Sequence, residues 1–120
     1  MRVRDLQKLV VAALEDLKAV DVQVLDVRGK TTITDVMVVA SGTSDRHVRA
    51  LAGGVIEKVK QRGSRPLGVE GEKQGEWVLV DLGDVVVHVM LSRVRDFYQL
   101  EKLWSVDVDA HLSSAGAVPE

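Results

Sequence analysis

With 120 residues, no cysteine and a formal net charge of −2, the chain fits one domain large enough to bury a core by packing alone. The absence of cysteine excludes a disulfide framework, a thiolate zinc site and a cysteine nucleophile, and it suits a reducing compartment. Sixteen Lys and Arg against 18 Asp and Glu exclude polyanion binding driven by bulk charge, so any nucleic-acid contact has to be local.

Leu6, Leu9, Val10, Ala13, Leu14 and Leu17 recur every three or four residues, with Asp5, Lys8, Glu15, Asp16 and Lys18 between them. This pattern predicts an amphipathic helix near 4–19. Its apolar stretch, Leu9 to Leu14, is flanked by charges and lacks the long core and small-residue cleavage site of a signal peptide. No run approaches the roughly 20 apolar residues of a membrane span, so the expectation is a cytoplasmic protein without membrane contact. The β-branched stretch 21–28 predicts a strand closed by a turn at Gly29-Lys30. Asp35-Val-Met-Val-Val-Ala-Ser41 is apolar at both parities, as a strand buried on both faces would be.

Gly42-Thr43-Ser44-Asp45 breaks that strand and opens a second helix, with Val48, Leu51, Ala52, Val55 and Val59 on one stripe and Gly63 at its end. A short extended piece at 67–70 and a glycine-rich turn at 71–75 follow. Strands at 76–82 and 84–91, joined tightly around Leu82-Gly83, predict an antiparallel hairpin. A last helix near 94–104 closes a domain spanning 1–105, and the aperiodic tail 106–120 reads as disordered. The order predicts an α/β fold, a mixed sheet of about five strands packed with helices, in which the second helix can cross over between parallel neighbours.

Parity divides the hairpin into two faces. Val78, Val80 and Leu82 lie with Val85, Val87 and Val89, an aliphatic surface that can only be core. Trp77, Leu79 and Asp81 lie with Asp84, Val86 and His88. Two unpaired carboxylates cannot be buried cheaply, so this second face is solvated near the turn or paired with something polar. All four aromatic residues, Trp77, Phe97, Tyr98 and Trp104, fall in the last third of the domain, and aromatics are common interface anchors. The plainer alternative is that Trp77 and Trp104 pack the closing helix onto the sheet.

Other constellations are weaker. Bare amides at 42–47 could bind phosphate, but the segment lacks the spacing of a phosphate-binding glycine motif, and Thr43 or Ser44 as a cap with Asp45 against the dipole explains it as well. Asp84 and His88, four residues apart on a strand, stand roughly 13 Å apart and cannot form a catalytic dyad. His47, His88 and His111 fall on three different elements without a metal-binding spacing. Glu70-Gly71-Glu72 reads as a solvated turn. Lys58, Lys60, Arg62 and Arg65 crowd the end of the second helix, where cations suit the dipole and could also touch RNA phosphate. A divergent nucleotidyl transferase using Gly42-Thr43-Ser44, or an RNA binder using Arg46, Arg49, Lys58 and Arg62, are the competing functions.

Asp35-Val-Met-Val-Val-Ala-Ser-Gly-Thr-Ser-Asp-Arg-His-Val-Arg-Ala50, Gly75-Glu-Trp-Val-Leu-Val-Asp-Leu-Gly-Asp-Val-Val-Val-His-Val89 and Arg95-Asp-Phe-Tyr-Gln-Leu-Glu-Lys-Leu-Trp104 resemble, in order, the signature stretches of the ribosomal silencing factor (Iojap) family. The resemblance implies a nucleotidyltransferase-like fold without transferase activity or cofactor, often homodimeric when free. It also implies a translational repressor that binds ribosomal protein fourteen of the large ribosomal subunit and blocks small-subunit joining; beside it, the cations at the end of the second helix leave room for minor ribosomal RNA contacts. Carried onto this chain, the binding role falls on Trp77, Leu79, Asp81, Asp84 and His88 of the hairpin and on Tyr98, Glu101 and Trp104 of the closing segment. The sequence departs from the commoner pattern at Leu82, where an aromatic often precedes the glycine, and at Met90-Leu91, where an aromatic-histidine pair is frequent. Both departures keep the core apolar.

Overall fold

The structure, a computed structural model, describes residues 1–98. In α1 (Val3–Asp16) the buried residues are Leu6, Val10, Ala13 and Leu14, the stripe that a 3.6-residue repeat lays along one side. The helix closes with Lys18 in the left-handed region (φ 63), where the Lys18 and Ala19 amides donate to the Glu15 and Leu14 carbonyls. The early stop, relative to the predicted 4–19, has its reason in that closure, which satisfies the last carbonyls and turns the chain into β1 (Val20–Asp26). The second helix, α2 (Asp45–Gln61), buries Val48, Leu51, Ala52, Val55 and Val59 as its pattern predicts. It ends in the same motif with Gly63 (φ 81) in the left-handed position.

The remaining elements are β2 (Val36–Gly42), β3 (Gly68–Glu70), β4 (Trp77–Asp81), β5 (Val85–Leu91) and α3 (Ser92–Tyr98). The five strands form one sheet in the order β1-β2-β5-β4-β3. β2 and β5 are parallel at its centre, and every other pair is antiparallel. The connection between the parallel pair starts with α2, the expected crossover, and runs on through β3 and β4. Every residue of β2 is buried, so its two-sided apolar run reports a central strand.

α1 and α2 pack side by side on one face of the sheet. Val36, Val38, Ala40, Val78, Val80, Val85, Val87 and Val89 meet Leu6, Val10, Leu14, Val48, Leu51, Val55 and Val59 there, and Leu82 is partly buried against them. On the other face Val27, Met37, Val39 and Met90 form a smaller buried cluster, joined by the partly buried Leu25, Trp77 and Val94. α3 begins at Ser92, two residues before the pattern predicts, and its first turns cover only one end of this second face. The far end of the predicted closing helix, with Glu101 and Trp104, and the predicted disordered tail lie outside the described residues, as does the Tyr98 side chain.

Candidate functional site

The register of the hairpin places the second-face residues. Leu79 stands opposite His88, Asp81 opposite Val86 and Trp77 opposite Met90, while Met37 and Val39 of β2 flank Val86 and His88 from the parallel side. Trp77 and His88 are therefore diagonal neighbours on one face. Their rings are tilted 56° with centroids 5.9 Å apart, and the indole Nε1–H donates to His88 Nδ1 at 2.9 Å.

That bond decides the state of the imidazole. Nδ1 accepts, so the proton of the neutral ring sits on Nε2. The ring is only 7 % exposed, and burial pushes its pKa from the ordinary 6.5 down to about 4. His88 is thus a neutral, oriented group with one N–H left to offer.

Below Trp77 on the same face lies a pocket of about 230 Å³ lined by Met37, Leu79, Asp81, Val86 and His88 and by Thr31, Ile33 and Thr34. The last three belong to the β1–β2 loop, which the sequence shows only as a turn and a link. Ile33 stands on the rim, 81 % exposed, held by an Ile33 N–H to Thr31 Oγ1 bond at 3.2 Å. Asp81 accepts the Gly83 N–H at 2.9 Å through Oδ1, an Asx turn that closes the hairpin. Asp84 sits in the turn itself, exposed, and its carbonyl accepts from the Asp35 and Val36 amides. Asp84 is therefore solvated near the turn and the half-buried Asp81 is paired with a backbone amide, the two outcomes parity left open.

Trp77 is half-buried and packs with Val94 of α3 against the smaller cluster. It joins the packing role to a link with the pocket through His88, which lines it. A residue that spacing did not single out is Arg95, 4 % exposed. Its guanidinium donates to the Asp21 carbonyl at 2.6 Å and to Ser41 Oγ at 3.0 Å, and lies 3.6 Å from the Asp21 carboxylate. The irregular register of β1 between Val20 and Gln23 turns these carbonyls toward the cation, and a buried charge needs such partners. Arg95 thereby pins α3 across the end of β1 and β2.

The phosphate reading of 42–47 meets occupied donors. The Thr43 amide donates to His47 Nδ1 at 2.9 Å, the His47 amide to Ser44 Oγ at 3.0 Å and the Val48 amide to the Ser44 carbonyl. His47 Nε2 in turn reaches the Leu17 carbonyl at 2.8 Å, tying the end of α1 to the start of α2. The segment is a cap and a helix junction. Lys58, Lys60, Arg62 and Arg65 do gather at the end of α2, all exposed, and Lys60 and Arg65 border a shallow open groove with Gly63, Ser64 and Pro66. Among the described residues no three His, Asp or Glu side chains stand together as metal ligands, and no helix is long and apolar enough to cross a membrane.

The geometry defines a small α/β domain with one face of its sheet sealed by two helices and the other presenting an aromatic, acid-rimmed surface. The chain belongs to the family described as ribosomal silencing factor during starvation, whose model matches residues 1–118. It is 50% identical over 104 residues to the protein named Ribosomal silencing factor RsfS of Chromobacterium violaceum, covering 87% of this chain and 85% of that one. The protein of the same name from Haemophilus influenzae is 43% identical over 100 residues, covering 83% and 98%. A crystal structure of a Chromobacterium violaceum protein superposes with a TM-score of 0.86 at 48% identity, covering 89% of each chain.

Proposed function

We propose that this protein represses translation by occlusion. The second face of the sheet, with Trp77, Leu79, Asp81, Asp84 and His88, docks on ribosomal protein fourteen of the large ribosomal subunit, and the bound protein stands where the small subunit must join. By the family resemblance, Tyr98, Glu101 and Trp104 share this binding role. The observation that carries the reading is the asymmetry of the sheet. One face is closed by helices, whereas the other exposes an aromatic anchor, a pocket and a rim of carboxylates suited to a basic partner. Family membership supplies the ribosomal context. In this reading the protein is a cytoplasmic, non-enzymatic regulator without cofactor, a homodimer when free. Lys58, Lys60, Arg62 and Arg65 contribute at most a minor contact to ribosomal RNA.

The test is co-sedimentation of the purified protein with isolated large and small subunits, followed by addition of the missing subunit. Selective binding to the large subunit with loss of joined ribosomes is expected. Binding to neither subunit, or binding that leaves joining intact, contradicts occlusion.

A further inference from the structure

The pocket beneath Trp77 has a shape and chemistry that narrow what can enter it. Its volume of about 230 Å³ lies below the roughly 300–1,000 Å³ of small-molecule sites, and suits one large side chain. Its walls are apolar where Ile33, Met37, Leu79 and Val86 line it, and Asp81 stands among them as the one ionisable group besides His88. The His88 ring lines the pocket and turns Nδ1 away to accept from Trp77, which is not part of the lining. Nε2–H remains; the side chain is 7 % exposed, and Nε2 is not sealed from solvent, so this N–H is open to the pocket. An occupant supplying an acceptor would take the place of the water that this donor meets.

Resting on the reading above, we infer that this pocket is the specificity pocket of the docking face. It takes one aliphatic side chain of the ribosomal protein partner, with a neighbouring backbone carbonyl accepting from His88 Nε2–H and a Lys or Arg meeting Asp81. Nucleic acid does not fit, because Asp81 in the pocket and Asp84 in the adjoining turn repel phosphate. Trp77 acts here through His88 as well as by contact. Its indole holds the imidazole in the tautomer that presents the donor, as positioning groups do elsewhere for histidine. The β1–β2 loop becomes part of the binding surface, with Ile33 as the lip that closes over the entering side chain.

Two variants and one spectroscopic readout test this. Ile33→Asp alters an exposed loop residue, so it leaves folding intact while placing a charge at the pocket mouth. His88→Asn keeps an acceptor for the Trp77 indole and removes the Nε2–H. Ala12→Asp, on the outer side of α1 where the residue is exposed, is the control. Large-subunit binding is expected to weaken at least tenfold in Ile33→Asp and severalfold in His88→Asn, with the control unchanged. In histidine-selective ¹⁵N spectra with purified ribosomal protein fourteen, the His88 Nε2–H is expected to exchange with water more slowly in the complex than in the free protein. Wild-type binding by Ile33→Asp, or a complex whose Nε2–H exchanges as fast as in the free protein, overturns the pocket inference and leaves docking standing. Failure of the wild-type chain to bind the large subunit removes the proposed function itself, and the pocket assignment with it.

Discussion

Alternate residues of the same strands build two unlike surfaces. Toward α1 and α2, β4 and β5 offer Val78, Val80, Val85, Val87 and Val89, each fully buried. Toward the other side they offer Trp77, Leu79, Asp81, Val86, His88 and Met90. The first surface is uniform because two helices must close on it without voids. The second mixes polar and aromatic groups at the same parity, a pattern stability alone does not require. The contrast teaches that, in a sheet with one sealed face, function is written in the residues that depart from aliphatic character on the other.

Truncation should separate the two faces most strongly. Leu51→Ala, at a fully buried position under the helices, is expected to cost about 3 kcal/mol of unfolding free energy in urea titrations. Leu79→Ala, half-buried on the open face, is expected to cost less than about 1.5 kcal/mol, because little cavity is left where water already reaches, and to weaken large-subunit binding instead. Equal losses of stability would erase the distinction.

Acid sharpens the same comparison. The folded-state pKa of His88, about 4 against the ordinary 6.5, means that the unfolded chain takes up a proton that the folded chain refuses between those values. The contribution of His88 is then fully present above pH 6.5 and is lost as pH falls toward 4, a total of about 3 kcal/mol. Protonation would also place a hydrogen on Nδ1, against the Trp77 indole N–H. His88→Asn should flatten the stability profile in that window. Asp26 and Asp45, whose pKa values are lowered mainly by hydrogen bonds from Arg28 and Arg49, act only below the ordinary carboxylate value and leave the window to His88.

Backbone changes rank lower. Gly71 holds φ 92, and a Cβ there would collide with the Trp77 carbonyl, so Gly71→Ala should cost roughly 2 kcal/mol and shift Trp77 fluorescence by moving the start of β4. At the end of α1 the left-handed position is held by Lys18 where α2 uses Gly63. Lys18→Gly should therefore raise stability by about 1 kcal/mol in thermal melts without touching binding.

Much of this architecture was legible from period and parity. The α2 stripe, the two-sided burial of β2 and the aliphatic set of the hairpin all appear in the structure as the pattern requires. What parity could not supply was register, and register is what makes Trp77 and His88 diagonal neighbours and places Asp84 in the turn. Nor could spacing bring Ile33 and Thr34 to a pocket walled in part by β4 and β5, more than forty residues later, because loops carry no period. The role of Arg95 is hidden from spacing for a related reason. Its partners are the carbonyls of an irregular stretch of β1, which no residue type advertises, together with Ser41 Oγ and the Asp21 carboxylate, both more than fifty residues away in sequence.

Oxidative footprinting of side chains on the protein bound to large subunits tests the central claim most directly. Protection of Trp77, Ile33 and Leu79 on the open face is expected, with Leu17, exposed beside the helix layer, oxidised as in the free protein. Protection of Leu17 with Trp77 and Ile33 left reactive would place the contact on the helices and contradict the account.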